Sequence, residues 1–97
     1  MEIVTERERQ RCEVYYAGRV QGVGFRYTVR SLAAGFQVTG FVRNVSDGRV
    51  LVVVEGDDDQ IKLFLDAVET EMQHYIREVQ QTRQKAGGQF PSFEIRH

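Results

Sequence analysis

Two helical patterns, separated by a pair of strand patterns, constrain the fold of this chain more than any other feature of its sequence. Apolar residues recur at helical spacing in two stretches, Phe25, Val29, Leu32, Ala33 and Phe36, and then Ile61, Phe64, Leu65, Val68 and Met72. Between them, the Val-rich stretches Val38–Val45 and Arg49–Glu55 predict two strands. Ser46-Asp47-Gly48 joins these strands and offers a glycine for a positive φ, so the pair is predicted to form a hairpin.

The segments on either side of this unit also carry strand patterns. Glu13–Val20 alternates between apolar and polar positions, which predicts a strand before the first helix. After the second helix, Tyr75–Arg83 predicts a weaker strand with Val79 as its clearest inward residue. The loop Lys85–Gln89 and a short terminal strand, Pro91–Arg96, follow. Residues 1–11 mix charges of both signs without periodicity, so we interpret 1–11 as a flexible tail and 12–97 as one folded domain.

This order of elements predicts an α+β fold of the ferredoxin-like type. The order is β-α-β-β-α-β, with the C-terminal strand as an optional fifth, and the two helices pack on one face of a mainly antiparallel sheet. A right-handed crossover makes the first two strands parallel, with the third strand between them. Their carboxyl ends therefore lie at the same edge of the sheet. The loop that follows Val20 and the strand end near Asn44 are expected to face each other.

The composition narrows the classes of function that this domain can have. A chain of 97 residues suits one domain, and its formal net charge of −1 gives no general attraction for nucleic acid or for an anionic membrane. Any anion must therefore be bound by a local site. A single cysteine, Cys12, and the lack of a long apolar stretch predict a cytoplasmic protein that binds neither nucleic acid nor membrane.

A glycine-rich segment, Gly18–Arg26, is the strongest candidate for such a local site. It joins a strand to the start of a helix, and its glycines allow successive backbone N–H groups to converge on one point. The glycines of this segment are Gly18, Gly22 and Gly24, with Gln21, Val23 and Phe25 beside them. Arg26 adds a planar guanidinium that can contact two phosphate oxygens at once. A glycine-rich turn alone is weak evidence, and this one matches neither the nucleotide P-loop nor the dinucleotide fingerprint.

At these residues the chain resembles the acylphosphatase family. G-R-V-Q-G-V-G-F-R, residues 18–26, matches the family signature at the strand–helix junction, and G-F-V-R-N-V-S-D-G, residues 40–48, matches its second signature. The ending F-E-I-R-H, residues 93–97, is similar to the usual C-terminus of the family. The resemblance implies a monomer with a ferredoxin-like fold that hydrolyses acyl phosphates without metal or cofactor. It also implies that Arg26 and the loop amides from Gln21 to Phe25 bind the phosphoryl group, and that Asn44 positions the attacking water.

The residue types suit that reaction on independent grounds. The carboxylate leaving group of an acyl phosphate has a low pKa, so no strong general acid is needed to expel it. Phosphoryl transfer mainly requires charge neutralisation and an in-line nucleophile. Arg26 supplies the first requirement. A neutral amide at Asn44 can accept a hydrogen bond from water without repelling the anionic substrate.

Several positions depart from the family pattern or allow other interpretations. Val29 and Val45 stand where the family often has Thr, and Phe41 stands where Trp is common. No Gly-Pro follows the second helix, so that helix is expected to be longer and the next strand shifted. A non-catalytic anion-binding module on the same fold stays open as an alternative, and an RNA-binding domain is disfavoured because the third strand lacks the aromatic RNA-binding pattern.

The remaining polar candidates receive structural interpretations. The Asp57–Asp59 run is expected to start a helix, in preference to holding a metal. Arg19 and Arg43 are expected to be solvated strand residues, and Cys12 a small buried or edge residue. His74 and His97 lie near element ends without companion metal ligands, so neither receives a role.

Overall fold

The computed structural model describes residues 9–97, and within them the predicted order of elements is confirmed. The strands and helices are β1 Gln10–Gly18, α1 Phe25–Ala33, β2 Val38–Asn44, β3 Val50–Gly56, α2 Asp58–Glu71, β4 Ile76–Lys85 and β5 Phe93–Arg96. The optional fifth strand is therefore present. No helix in this part of the chain is long and apolar enough to cross a membrane.

The five strands form one mixed sheet in the order β4-β1-β3-β2-β5. β3 pairs antiparallel with β1 on one side and with β2 on the other, so β1 and β2 run parallel with β3 between them, as predicted. β4 pairs antiparallel with β1, and β5 pairs parallel with β2. This topology brings the carboxyl ends of β1, β2 and β5 to the same edge of the sheet.

The core lies between the helices and one face of the sheet. Alternate residues of β1 and β3 point into it, among them Val14, Tyr16 and Val52, which are fully buried. Both helical stripes face this core. Phe25 and Val29 of α1 and the whole stripe of α2 are buried in it, and Leu32 and Phe36 pack against it half-buried. Burying each large apolar side chain contributes about 1.5–3 kcal/mol. Cys12 is buried in this core, as expected.

The N-terminal boundary of the domain differs from the prediction. β1 begins at Gln10, so Gln10 and Arg11 belong to the sheet and not to a tail. Arg11 pairs across the sheet with Glu55, which is 44 residues away along the chain and therefore invisible to local patterning. β1 also ends at Gly18, two residues earlier than expected. Residues 1–8 of the predicted tail lie outside the described residues.

The segment after α2 also corrects two expectations. The helix is not extended, because it ends at Glu71 and the backbone N–H groups of Tyr75 and Ile76 bond to the carbonyl of Met72, which forms a tight turn without Gly-Pro. Val79 is opposite Tyr16 in the ladder, yet 36% of it is exposed. β4 is an edge strand whose residues after Ile76 are exposed, and Ile76 at its start is the better packed residue.

The face of the sheet away from the helices is partly covered by the β4–β5 loop, residues 86–92. Glu55, only 1% exposed, accepts hydrogen bonds from Arg11 Nε at 2.8 Å and from the backbone N–H groups of Gly87 and Gly88, each at 3.0 Å. Burial alone would raise the pKa of the Glu55 carboxyl, but these hydrogen bonds outweigh it and hold its pKa below the usual range. The carboxylate therefore fastens the loop that leads into β5.

Candidate active site

Two glycines shape the turn between β1 and α1. Gly22 has a φ of 78° and Gly24 a φ of 79°, in the left-handed region that favours glycine. A Cβ at either position would meet nothing within 4 Å, so backbone conformation and not space explains the glycines. The first helical hydrogen bond runs from Thr28 N–H to Gly24 O at 3.0 Å. The N–H groups of residues 25–27 thus precede the first helical bond and form the positive end of the helix.

Arg26 lies in this first turn, half-buried. A cation is disfavoured at a helix N-terminus, typically by about 0.3–1 kcal/mol, because the helix dipole is positive there. No acidic residue occupies the first turn of α1 to balance it. The guanidinium and the turn amides therefore combine their positive charge at one place, which is an arrangement that a bound anion relieves.

A small cavity of about 90 Å³ brings these groups together with the end of β2. It is lined by Val20, Gly22, Gly24, Phe25, Arg26, Tyr27 and Asn44. The expectation that Arg26 and Asn44 face one another across the sheet edge thus agrees with their positions here. The sequence predicts no role for Tyr27, because an exposed aromatic residue on a helix carries no distinctive pattern. The cavity suits a small group such as a phosphoryl group, with the remainder of a substrate outside.

The other two loop residues with a predicted role lie differently. The side chain of Gln21 points to the β2–β3 hairpin, where its Nε2 donates to the carbonyls of Val45 at 2.8 Å and Arg49 at 3.0 Å. Val23 packs half-buried against the core. Their predicted contacts with substrate concern backbone amides, and these stay predictions. The Gln21 side chain instead links the glycine-rich turn to the strand end that carries Asn44.

The hairpin that carries Asn44 is itself well ordered by hydrogen bonds. Asp47 Oδ1 accepts from Arg49 N–H at 3.1 Å, and Asp47 Oδ2 accepts from Arg49 Nε at 2.8 Å. The backbone hydrogen bond from Arg49 is the main reason why the pKa of Asp47 is lowered. The Arg49 guanidinium also stacks on the ring of Tyr15, 4.2 Å from its centroid. Arg49 thus fixes the turn beside the cavity, a role that its sequence position did not reveal.

His97 is a neighbour of the site for which the sequence predicts no role. Arg26 Nη1 donates a hydrogen bond to His97 Nδ1 at 3.1 Å. The two residues are 71 positions apart, and only the parallel pairing of β5 with β2 brings them together. The strand alternation of residues 93–97 was the one available signal, since it places His97 on the same face as Phe93 and Ile95.

The departures from the family pattern do not occupy the cavity. Val29 is fully buried in the core, and Val45 contributes its backbone to the contact with Gln21. Arg19 and Arg43 are exposed and do not line the cavity, which agrees with their interpretation as solvated residues. Arg43 lies in β2 as expected, but Arg19 follows the end of β1 and is not a strand residue.

Nucleophiles and metal ligands are not gathered at this site. Burial raises the pKa of the Cys12 thiol and of the Tyr16 hydroxyl, so both stay protonated inside the core. Within residues 9–97 no group of three or more His, Cys, Asp or Glu side chains could hold a metal ion. Of the Asp57–Asp59 run, Asp57 is the N-cap of α2, and Asp58 forms ion pairs with Lys62 and Arg83. The chemistry that the cavity supports is therefore anion binding beside a neutral amide.

Comparison with known proteins points to one family. A family model described as Acylphosphatase matches residues 12–95. The chain is 48% identical over 60 residues to an acylphosphatase of Geobacillus kaustophilus, and the aligned region covers 62% of this chain and 64% of that protein. It is 38% identical over 68 residues to an acylphosphatase of Methanospirillum hungatei, and the aligned region covers 70% of this chain and 75% of that protein.

Solved structures agree with this match. The crystal structure of an acylphosphatase from Bacillus subtilis has a TM-score of 0.81 at 29% identity, over 91% of this chain and 99% of that one. The chain spans somewhat less than two thirds of the first curated relatives, 64% of two of them and 65% of the third. The match of the family model nevertheless runs from β1 to β5. This chain belongs to the acylphosphatase family.

Proposed function

We propose that this protein hydrolyses acyl phosphates to a carboxylate and inorganic phosphate. The observation that carries the proposal is the convergence of Arg26, the N-terminus of α1 and Asn44 on one small cavity. A phosphoryl group in this cavity would meet the guanidinium and the amides from Gln21 to Phe25. Membership of the acylphosphatase family supports the choice of substrate class.

In the proposed reaction, a water molecule held by the Asn44 side chain attacks phosphorus. The new P–O bond forms as the bond from phosphorus to the acyl oxygen breaks, and the electron pair leaves with the carboxylate. The proton of the attacking water passes to the phosphate product or to solvent. Because the carboxylate is a good leaving group, its oxygen needs no proton, and the site needs no general acid.

Charge stabilisation is the main contribution that the protein makes to this reaction. Negative charge is spread over the phosphoryl oxygens in the transition state. Arg26 lines the cavity, and donors that are in place in advance avoid reorganisation during the reaction. Removing one such donor typically lowers the rate about 10²–10³-fold.

We also propose that the protein works as a cytoplasmic monomer on small molecules, without metal or cofactor and without a nucleic acid or membrane partner. The net charge of −1 supports the absence of a polyanionic partner, and the single cysteine suits a reducing compartment. Sedimentation or light scattering of the purified protein would test the monomer directly, and a mass of two chains would contradict it.

The test of the proposed activity is phosphate release from benzoyl phosphate in the presence of a chelator. We expect turnover of this acyl phosphate and none of an alkyl phosphate monoester, whose alkoxide leaving group would need a general acid. In water labelled with oxygen-18, the label should enter inorganic phosphate. Label in benzoate would mean attack at the carbonyl carbon and would contradict the mechanism. No release of phosphate would refute the function.

A further inference from the structure

We propose that Tyr27 and Arg30 form a second subsite along α1, which selects acyl phosphates whose acyl group carries a further negative charge. The inference rests on the proposed function, since it takes the phosphoryl group of the substrate to lie in the cavity beside Arg26. Arg30 binds the second anionic group, and the ring of Tyr27 contacts the carbon chain that joins the two charges. Both residues determine specificity and neither touches the bond that breaks.

The anion cavity shares one residue with an open recess along α1. Tyr27 lines the cavity of about 90 Å³ that contains Arg26 and Asn44. It also lines a recess of about 430 Å³ on the exposed side of the helix. The other residues of this recess are Arg30, Ser31 and Ala34. Because the cavity has room for a phosphoryl group only, the acyl group lies outside it, and Tyr27 leads from the one space to the other.

Arg30 has no counter-ion in the part of the chain that the structure describes. Its side chain is exposed and forms neither an ion pair nor a hydrogen bond within residues 9–97. By contrast, Arg11, Arg49 and Arg96 are each paired with a carboxylate. The helix dipole favours a cation at Arg30, in the last turn of α1, so an arginine there does not by itself indicate a ligand. The recess that it shares with Tyr27 supplies the second reason.

The distribution of charge along the sequence also favours a second anion here. Residues 14–46 contain four arginines, Arg19, Arg26, Arg30 and Arg43, and no Lys, Asp or Glu, although the whole chain has a formal net charge of −1. Arg26 and Arg30 are four positions apart on α1, and this helix contains no acidic residue. Like charges at this spacing repel each other. A ligand with two anionic groups relieves that repulsion, whereas one with a single phosphoryl group leaves Arg30 without a partner.

The spacing of the two arginines limits the length of the acyl group. Side chains four positions apart on a helix begin about 5–6 Å from each other at their Cβ atoms. A chain of a few carbon atoms between the phosphoryl group and a carboxylate or a second phosphate spans that separation. The contact with Arg30 is exposed to solvent, so it is expected to change affinity only about two- to fivefold.

Calorimetry with two ligands that resist hydrolysis isolates the second subsite. Phosphonopropionate carries a phosphonate and a carboxylate joined by two methylene groups, and its carboxamide has the same shape without the second charge. The proteins compared are wild type, Arg30→Gln, Tyr27→Ala and Arg43→Gln. Arg43 is the matched control, because it is also exposed and unpaired within residues 9–97 and precedes Asn44, yet lines neither the cavity nor the recess. All three side chains are exposed, so these substitutions spare the core, and thermal melting confirms folding.

We expect wild type to bind phosphonopropionate about two- to fivefold more tightly than the carboxamide. Arg30→Gln should bind the two ligands equally, because the guanidinium that distinguishes them is gone. Arg43→Gln should keep the wild-type ratio. Tyr27→Ala should also keep the ratio but bind both ligands about two- to fourfold more weakly, since the carbon chain that the ring contacts is common to both.

A ratio near one in wild type, or an unchanged ratio in Arg30→Gln, would overturn the proposal. So would an equal fall of the ratio in Arg43→Gln, because the preference would then come from the general positive field. Wild-type affinities in Tyr27→Ala, or no binding of either ligand to wild type, would also refute the subsite. These results are separate from turnover: the expected ratios in a protein that hydrolyses no acyl phosphate would refute only the proposed function. Hydrolysis of benzoyl phosphate with a ratio near one would refute only the second subsite.

Discussion

Substitution of Glu55 by Gln is expected to destabilise the fold substantially, although Glu55 lies far from the cavity. Its carboxylate is almost fully buried and accepts from Arg11 and from the N–H groups of Gly87 and Gly88. All of these partners are donors, so the amide NH₂ of a glutamine would face one of them and Arg11 would lose its counter-ion. Breaking a buried ion pair at one partner costs about 3–5 kcal/mol, and one acceptor oxygen is retained, so we expect a loss of about 2–4 kcal/mol.

The assay for Glu55→Gln is urea unfolding at neutral pH, supported by thermal melting. For a domain of this size the loss corresponds to a fall of roughly 10–25 °C in Tm. Glu13→Gln is the matched control, because Glu13 is on the same strand as Arg11 but 4.0 Å from its Nη1 and one third exposed. An exposed pair of this kind contributes less than about 1 kcal/mol. If Glu55→Gln unfolds within about 0.5 kcal/mol of wild type, the account of the loop attachment is wrong.

The pH dependence of stability follows from the same carboxyl group. The pKa of Glu55 is lower in the folded protein than its ordinary value. Its contribution to the free energy of unfolding is therefore complete above the unfolded-state pKa of about 4.3 and is lost as the pH falls through the folded-state pKa. The difference in unfolding free energy between wild type and Glu55→Gln should accordingly shrink below about pH 4. A difference that stays constant into acid would contradict this.

Three further substitutions test the turn and its surroundings. Gly24→Ala should lose about 1–2 kcal/mol of stability because Gly24 has a φ of 79°. Gly35 has no positive φ, so Gly35→Ala is the control and should not lose this stability. Equal effects of the two substitutions in urea unfolding would contradict the conformational argument. Arg26→Gln should leave the anion-free protein as stable as wild type or up to about 1 kcal/mol more stable, because a cation is removed from the helix N-terminus. The same substitution should abolish the rise in Tm that phosphate gives. Gln21→Ala should lower kcat/KM for benzoyl phosphate about tenfold by releasing the turn from the hairpin; an unchanged value would show that the link is dispensable.

Local patterning was sufficient for the elements that build the core. The helical stripes and the Val-rich hairpin each occupy a single window of sequence, and their apolar spacing follows directly from the periods of helix and strand. The position of Arg26 opposite Asn44 also followed, because a right-handed crossover leaves one arrangement of the first two strands. The cavity that contains both residues agrees with that expectation.

What the sequence did not reveal depends on pairs of residues that are distant along the chain. Arg11 appeared to belong to a charged tail because its partner, Glu55, is 44 positions away. His97 had no visible role because its contact with Arg26 spans 71 positions. Val79 was misjudged for a related reason: its alternation is correct, but the pattern does not tell that β4 is an uncovered edge strand. These features arise from tertiary packing, which a local pattern does not encode.

The most direct test of the proposed site is to measure two constants for Asn44→Ala and for Arg26→Ala. These are kcat and the inhibition constant of phosphate. If Arg26 binds the phosphoryl group and Asn44 positions water, Asn44→Ala should lose turnover by about 10²-fold or more and keep a phosphate inhibition constant close to that of wild type. Arg26→Ala should instead lose phosphate inhibition. Equal loss of phosphate binding in both variants, or full turnover in Asn44→Ala, would contradict the division of roles in this site.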